Sequence, residues 1–291
     1  MTHVLTLVAD RAATTLSPAV IARVREAVRG AEPEILSPGE ACDIPCRVVP
    51  DMFAVEAALE RLPIDAITTP ARNRRKALLV ADMDSTIVTN ETLDEMADLA
   101  GIGAEIRAIT QQSMNGEVDF ETSLRRRVAM LKGHALSLLE ATWARTKLTP
   151  GAIELVATMR ARNATTALVS GGFTFFTTRV AELVGFELHR ANTLLDDGNV
   201  LTGEVASPVL DRDAKLTILK ELAEARGVKL AATLAVGDGA NDLAMLREAG
   251  LGVAFRAKPV VAVEARVRVD HADLRALLFA QGYRVVDFAA V

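Results

Sequence analysis

Three predicted strands that each end in a polar cluster constrain the fold of this chain more than any other feature. The first, residues 77–81, is a short unbroken apolar run, which is typical of a parallel strand buried on both faces. The other two cover 164–169 and 232–236, and helical patterns lie between and after them. Strands that alternate with helices predict an α/β fold with a doubly wound parallel sheet and right-handed crossovers.

The polar clusters at the ends of these strands are predicted to meet at one edge of the sheet, where ligands of such folds bind. Each cluster on its own is more typical of a turn, since Asp, Asn, Ser and Gly are common turn residues. Together they bring four carboxylates into one site, and the mutual repulsion of those carboxylates requires a cation. The clusters are Asp82-Met83-Asp84-Ser85-Thr86, Ser170-Gly171-Gly172 and Gly237-Asp238-Gly239-Ala240-Asn241-Asp242.

The residue types in these clusters indicate a magnesium and phosphate site. Oxygen ligands without His or Cys favour a hard ion, and Mg²⁺ prefers one or two carboxylates together with waters and a substrate phosphate. Ser170 and the backbone N–H groups of Gly171 and Gly172 are suited to phosphate oxygens, because glycine lets the backbone approach closely. Lys215, near the start of a predicted helix over 213–226, can add a positive charge.

In order along the chain, these segments resemble the four signature motifs of the haloacid dehalogenase superfamily of phosphohydrolases. The matching segments are DMDST, SGGF, the region of Lys215 and GDGAND, within a resemblance that covers roughly residues 77–280. It implies a Rossmann-like core in which Asp82 is the nucleophile and is transiently phosphorylated. It also implies that Asp84 acts first as the general acid and then as the general base.

The same resemblance implies a single Mg²⁺ ion at the site. Its contacts would be Asp82, the backbone carbonyl of Asp84, and Asp238. Asp242 would support the metal and Asn241 the phosphate.

The segment from residue 91 to about 146 has a helical pattern throughout, which predicts a helical insertion after the first strand. Three parts of this segment resemble the cap of phosphoserine phosphatases. They are Glu91, the stretch from Met114-Asn115-Gly116 through Phe120, and the stretch from Ser123 to Val128. That resemblance implies that Glu91 meets the substrate's ammonium group and that Arg127 binds its carboxylate, to which a planar guanidinium is suited. Met114 and Phe120 would close the lid. The implied reaction is hydrolysis of O-phospho-L-serine, the last step of serine biosynthesis.

The pattern of the first 70 residues predicts a small α+β domain with the ferredoxin-like order βαββαβ. This pattern resembles ACT-type regulatory domains, but more weakly than the later motifs resemble the phosphohydrolases. The domains are expected at 1–72 and 73–291, with the helical cap at about 90–148, because Pro70 and the basic run at 72–76 interrupt the apolar pattern. No glycine precedes Gly30, which argues against an amino-acid-binding loop and favours a structural or dimerisation role. The predicted elements are strand 3–9, helix 17–29, an apolar run at 46–49, helix 51–62 and strand 64–69.

Charge and hydrophobicity narrow the class of partner. The net charge is −5 and the basic residues are scattered, so the sequence predicts no basic surface for binding nucleic acid or an anionic membrane. Without an apolar stretch long enough to span a bilayer or a signal-like N-terminus, the expected location is the cytoplasm. The two cysteines, Cys42 and Cys46, lack the partners of a zinc site. A small-molecule substrate is therefore the expected ligand, and a homodimer is expected from the dimerisation role of the first 70 residues.

The sequence motifs leave other functions open. The four core motifs do not specify the leaving group, so a phosphotransferase or a phosphatase for another small phosphomonoester fits them equally well. An amino-acid-sensing regulatory protein with a vestigial phosphatase half is a further alternative.

Overall fold

The structure is a computed structural model that describes residues 1–114 and 117–290, and of Met114 and Arg212 only the backbone. The strands are β1 His3–Ala9, β2 Glu34–Ser37, β3 Ala41–Cys46, β4 Ile64–Pro70, β5 Leu78–Ala81, β6 Thr165–Phe173, β7 Leu188–Asn192, β8 Leu194–Asp196, β9 Leu201–Val205, β10 Thr233–Gly237, β11 Leu251–Phe255 and β12 Val267–Val269. The helices are α1 Pro18–Ala27, α2 Met52–Leu59, α3 Thr92–Leu99, α4 Gly103–Met114, α5 Phe120–Ala129, α6 Ser137–Trp143, α7 Ala152–Ala161, α8 Thr174–Val184, α9 Arg212–Arg226, α10 Leu243–Glu248, α11 Pro259–Glu264 and α12 Ala276–Ala280.

The first four strands form an antiparallel sheet in the order β2-β3-β1-β4, which with α1 and α2 gives the predicted ferredoxin-like arrangement. Helix α1 begins as expected, since Ser17 accepts a hydrogen bond from the backbone N–H of Val20 and Pro18 occupies the first helical position. The middle hairpin lies earlier than the apolar run at 46–49. Strand β3 ends at Cys46, and Val48 and Val49 are exposed because they lie outside the sheet. The relationship to ACT-type domains stays a prediction.

A second sheet carries the predicted strand-end clusters. Its order is β12-β11-β10-β5-β6-β7, and every adjacent pair is parallel. The α/β class and the doubly wound parallel sheet are therefore confirmed. Buried apolar side chains on both faces, such as Leu79 on one and Val80 on the other, pack against the covering helices.

Two segments of this half differ from the sequence prediction. The apolar pattern of the segment 187–204 predicts one hairpin, but β7 pairs in parallel with β6 at the edge of the large sheet, and only β8 and β9 pair with each other. The last element that the sequence pattern predicts is a strand over 251–254, whereas α11, β12 and α12 follow it in the structure. Short elements such as the three-residue β12 carry too little periodicity to be recognised.

Helices α3 to α6 follow β5 and form the predicted helical insertion, and α5 packs against β9 of the small hairpin. The two segments that connect the insertion to the core run side by side, with a β-bridge between Val88 and Leu148. This pairing places the insertion above the carboxyl ends of the strands. None of the helices that the structure describes has the length and apolar character to cross a membrane.

The N-terminal sheet packs on the other half of the chain through β1 and β4, which contact α12, and through the contact of β4 with β12. Arg74, just after β4, donates to the backbone carbonyls of Phe279 and Ala280 and to the carboxylate of Asp43. Buried polar contacts therefore tie the two parts together. The division near residue 72 stays a prediction.

Candidate active site

Asp82 is the first residue after β5 and lies at the centre of the site. Its backbone N–H donates to the carbonyl of Val236 in the neighbouring strand at 3.0 Å, which continues the sheet pairing to this position. Its Oδ1 accepts from the backbone N–H of Met83 at 2.8 Å and lies 2.8 Å from Nζ of Lys215. Asp82 is buried and Lys215 wholly so. The carboxylate is thus fixed in direction at the carboxyl end of the strand.

Asp82, Asp238 and Asp242 form a buried acidic cluster, with one carboxylate oxygen from each within 4.8 Å of the others. Asp242 is held by the backbone N–H of Gly239 at 3.0 Å and by Nζ of Lys215 at 2.6 Å. A side chain at Gly237 would collide with Asp242, because an added Cβ would lie 2.3 Å from its Cγ. Glycine is therefore required there for the carboxylates to converge.

The donor set of this cluster fits a divalent cation. Three carboxylates lie close together out of water, and the ammonium of Lys215 faces two of them. Carboxylate oxygens without nitrogen or sulfur ligands are the donors that a hard ion such as Mg²⁺ prefers. Asp84, expected to contribute only its backbone carbonyl, has no carboxylate oxygen in the cluster.

Burial and mutual repulsion govern the ionisation of these groups. Burial, and then the neighbouring Asp242, raise the pKa of Asp82 well above its usual value despite the opposing charge of Lys215. Burial also raises the pKa of Asp238 to about 6. For Lys215, burial alone would lower the pKa, but the two carboxylates outweigh it and raise the pKa. The carboxylates of this site therefore need nearby positive charge to be ionised together.

Asp84 lies two residues beyond Asp82 in a separate polar environment. Its Oδ1 accepts from the backbone N–H of Thr92 at 2.8 Å, and its Oδ2 accepts from Oγ of Ser170 at 3.2 Å. Burial, and then the nearby Glu91, raise the pKa of Asp84 to about 6. A carboxyl group with that pKa can both release and accept a proton near neutral pH.

Ser170, Gly171 and Gly172 lie within β6, where the pairing with β7 is interrupted between Val169 and Phe173. The backbone N–H of Gly172 donates to Oγ of Ser170 at 2.9 Å. An added Cβ at Gly172 would lie 2.8 Å from Oδ2 of Asp84, and one at Gly171 would lie 3.2 Å from the ring of Phe120. Both glycines thus permit a close approach, one to the core carboxylate and the other to the cap.

A cavity of about 790 Å³ lies between this edge of the sheet and the helical insertion. Its walls include both sequence-predicted core residues and cap residues. The predicted residues that line it are Asp82, Asp84, Glu91, Phe120, Arg127, Ser170, Gly171, Gly172, Asp238 and Asn241. Lys215 lies behind Asp82 and Asp242, and the side chain of Met114 lies outside the described part of the chain, as do Asn115 and Gly116.

The cap residues Glu91 and Arg127 both face this cavity from different parts of the helical insertion. Glu91 precedes α3, and its Oε1 accepts from Oγ of Ser85 at 3.1 Å. Arg127, on α5, donates from Nε to the backbone carbonyl of Ser123 at 3.3 Å. Its guanidinium is partly buried, which lowers its pKa, while the negative charges of Asp94 and Glu91 act in the opposite direction. One anion-binding and one cation-binding side chain therefore share the cavity.

Lys258, which the sequence prediction missed, also lines the cavity. Its Nζ lies 3.1 Å from Oε1 of Glu91 and 3.5 Å from Oδ2 of Asp238. Burial alone would lower its pKa, but these two carboxylates raise it. A signal was present in the sequence, because Lys258 follows the predicted strand 251–254 closely and so belongs to the same sheet edge.

The chain is similar to known hydrolases and phosphatases. The family model for haloacid dehalogenase-like hydrolase matches residues 79–247. A phosphoserine phosphatase of Methanocaldococcus jannaschii is 40% identical over 205 residues, which are 70% of this chain and 97% of that protein. One from Archaeoglobus fulgidus is 42% identical over 69% of this chain, but the match spans only 59% of that relative's length.

A solved structure covers almost the whole chain. A HAD family hydrolase from Salmonella enterica subsp. enterica serovar Typhi has a TM-score of 0.85 and 29% sequence identity, and the match covers 96% of this chain and 98% of that one. The similarity therefore includes the N-terminal sheet as well as the parallel sheet and its helical insertion.

Proposed function

The chain belongs to the family of haloacid dehalogenase-like hydrolases, and from that membership we propose that it is a magnesium-dependent phosphoserine phosphatase. The observation that carries the proposal is one cavity lined by two groups of residues with different chemistry. Asp82, which belongs to the acidic cluster, and Asp84 form the first group, and Glu91 and Arg127, which offer opposite charges, form the second. Phosphoserine presents a phosphate to the first group and an ammonium and a carboxylate to the second.

Asp82 is the proposed nucleophile. Because both Met83 N–H and Lys215 contact its Oδ1, Oδ2 is the oxygen best placed to bond to phosphorus. As that bond forms, the bond between phosphorus and the serine oxygen breaks, and Asp84 gives its proton to the departing oxygen. Asp84 then takes a proton from water, whose oxygen attacks phosphorus and releases Asp82 together with inorganic phosphate.

The environment of Asp84 supports both halves of this role. Ser170 and the backbone N–H of Thr92 hold its carboxyl group in place, and its pKa of about 6 allows it to alternate between acid and base. Mg²⁺ bound by Asp82, Asp238 and Asp242 would supply the positive charge that neutralises the phosphate. Lys215 orients Asp82 and Asp242 from behind, and Ser170, Gly172 and Asn241 are the proposed phosphate contacts.

Recognition of the amino acid is proposed to come from the cap. Arg127 is suited to the substrate carboxylate, because a guanidinium can donate two parallel hydrogen bonds to it. Glu91 is suited to the ammonium group. Phe120, which reaches across to Gly171, closes the cavity over the substrate.

A phosphate-release assay on a panel of phosphomonoesters tests the proposal. We expect phosphoserine to be hydrolysed with the highest kcat/KM, and phosphothreonine, phosphohomoserine and phosphoethanolamine with lower values. Equal values across the panel would contradict the substrate assignment. Transfer of the phosphoryl group to an added acceptor alcohol would favour the phosphotransferase.

Removal of divalent metal by a chelator should abolish turnover, and Mg²⁺ should restore it.

The biological setting proposed with this function is serine biosynthesis in the cytoplasm. A homodimer is proposed as the oligomeric state, and sedimentation velocity would test it. Serine binding without turnover by the full chain would instead favour an amino-acid sensor.

A further inference from the structure

Lys258 bridges the acidic cluster and the cap residue Glu91 in the active-site cavity. Its ammonium contacts Glu91, the proposed site for the substrate ammonium, and also Asp238 of the acidic cluster. An ammonium and a divalent cation are both attracted to the same carboxylate. They compete for it, because the repulsion between their positive charges disfavours binding of both at once. The position of Lys258 therefore bears directly on how tightly the cluster binds Mg²⁺.

The backbone around Lys258 is anchored by residues distant in sequence. Two positions earlier, Arg256 has a left-handed backbone conformation, with φ of 43°. A non-glycine residue keeps that conformation only where surrounding contacts impose it. Here the backbone N–H of Arg256 donates to Val269 at 2.7 Å, and its Nη2 donates to the carbonyls of His271 and Ala272 at 3.1 and 3.2 Å.

The segment that receives these hydrogen bonds is itself held by the N-terminal domain. Asp65, on β4, is buried, and its carboxylate accepts from the backbone N–H groups of Asp270, His271 and Ala272 at 2.8, 3.1 and 2.7 Å. One side chain of the small domain thus fixes three successive peptide groups of the other half. These peptide groups belong to the segment that Arg256 contacts.

We propose that the N-terminal domain sets the position of Lys258 in the active site through Asp65, the segment 269–272 and Arg256. Lys258 is a positioning residue in this scheme: it holds Glu91 and Asp238 together and opposes Mg²⁺ binding until its ammonium is displaced. The inference rests on the proposed metal site of the phosphatase. It gives the small domain a role in the chemistry that needs no amino-acid ligand.

Binding of Mg²⁺ in the absence of substrate, measured by calorimetry on the full chain, tests the proposal. Lys258→Met should tighten Mg²⁺ binding about tenfold, because it removes a competing charge. The backbone N–H of Lys258 donates to the carbonyl of Asp238, and this bond does not depend on the side chain. Lys258→Arg keeps the charge and should stay within about twofold of wild type.

The coupling is tested by a double-mutant cycle. Asp65→Asn should tighten Mg²⁺ binding about threefold, because loosening 270–272 frees Arg256 and hence Lys258. In the Lys258→Met background the same change should have no further effect. An equal effect of Asp65→Asn in both backgrounds, or none in either, would overturn the proposal, as would absence of Mg²⁺ binding by the wild type.

Two matched controls separate this path from general effects. Glu40→Gln breaks another buried interdomain ion pair, with Arg275, that does not involve 269–272. Lys220→Met removes an exposed lysine from α9 and changes the net charge by the same amount. Both should leave Mg²⁺ affinity within about twofold of wild type, and a shift like that of Asp65→Asn in Glu40→Gln would count against a specific path.

If Asp65→Asn does not fold, Arg256→Gln replaces it in the cycle with the same expectation. Phosphate release from phosphoserine is measured separately on each folded variant. A wild type that binds Mg²⁺ but does not hydrolyse phosphoserine would refute the proposed function and leave the coupling standing.

Discussion

At the scale of single residues, the site depends on how Asp82 and Asp84 differ although they are two positions apart. Asp82 lies beside Lys215 in the acidic cluster, whereas Asp84 is held by a hydroxyl and a backbone N–H. The first environment favours a fixed carboxylate near a cation. The second leaves a carboxyl group that can exchange a proton near neutral pH.

Replacing the proposed nucleophile tests this division of roles. Asp82→Asn should reduce turnover to less than a few per cent of wild type, because an amide is a poor nucleophile and a weaker metal ligand. Asp84→Asn should instead slow both half-reactions and prolong any phosphorylated state. Mass spectrometry should then find the phosphoryl group on Asp82, whereas phosphate on Ser85 or Ser170 would disprove the assignment.

The raised pKa values of Asp84 and Asp238, each about 6, predict how the stability of the metal-free protein depends on pH. Between about pH 4 and 6 the folded state binds more protons than the unfolded chain. The contribution to the free energy of unfolding is therefore present at low pH and lost as the pH rises through 6. Thermal melts in chelator should show Tm falling from pH 5 to pH 7.

The comparison of variants identifies the groups responsible for that pH dependence. Asp84→Asn and Asp238→Asn should each flatten the fall in Tm, since an amide does not titrate. Added Mg²⁺ should raise Tm more at pH 7 than at pH 5, because it binds the ionised cluster. An unchanged slope in both variants would assign the pH dependence to other groups.

At the scale of elements, the proposed function assigns specificity to the cap helix α5 and chemistry to the parallel sheet. Phe120 opens α5 above Gly171, and Arg127 lies two turns further along the same helix. The helix therefore presents both an apolar cover and a guanidinium to the cavity. Changes on α5 should alter substrate choice, whereas changes at the strand ends should alter the rate of every substrate.

Arg127→Ala provides the test at this scale. Losing a charge-assisted contact of about 1.5–3 kcal/mol should lower kcat/KM for phosphoserine at least tenfold. Phosphoethanolamine lacks the carboxylate, so its lower kcat/KM should change little. Arg126→Ala, at the exposed neighbouring position, is the matched control. An equal loss for both substrates would indicate that Arg127 supports the cap or the phosphate.

At the scale of the whole molecule, buried charged groups hold the N-terminal sheet against the parallel-sheet half of the chain. Arg74 binds Asp43 and Oγ1 of Thr6 in the small sheet and two backbone carbonyls of the other half. Such a pair is costly to break on one side only, because the remaining charge stays buried without compensation. The two halves are therefore expected to unfold as one unit.

Arg74→Ala should destabilise the protein by about 3 kcal/mol or more, since it leaves Asp43 buried without its partner. Denaturant unfolding should also broaden or separate into two transitions as the halves lose their connection. Arg72→Ala, an exposed arginine two positions earlier, should change stability by less than about 0.5 kcal/mol. A single, unshifted transition in Arg74→Ala would show that the interface does not depend on this contact.

The parallel sheet, the helical insertion and the meeting of the strand-end clusters could all be predicted from the sequence. These follow from local apolar periodicity and from the fixed handedness of crossovers, which bring the carboxyl ends of parallel strands to one edge. The spacing of Asp82 and Asp84 and the glycines at 171 and 172 are likewise local features.

Other contacts between residues distant in sequence could not be predicted and are known from the folded structure alone. Lys258 contacts Glu91 across 167 positions, and Asp65 holds Asp270 across 205. The edge position of β7 likewise depends on its pairing with β6 rather than on its own pattern. Local periodicity records which face of an element is buried but not which distant partner covers it, because that choice depends on the packing of the whole chain.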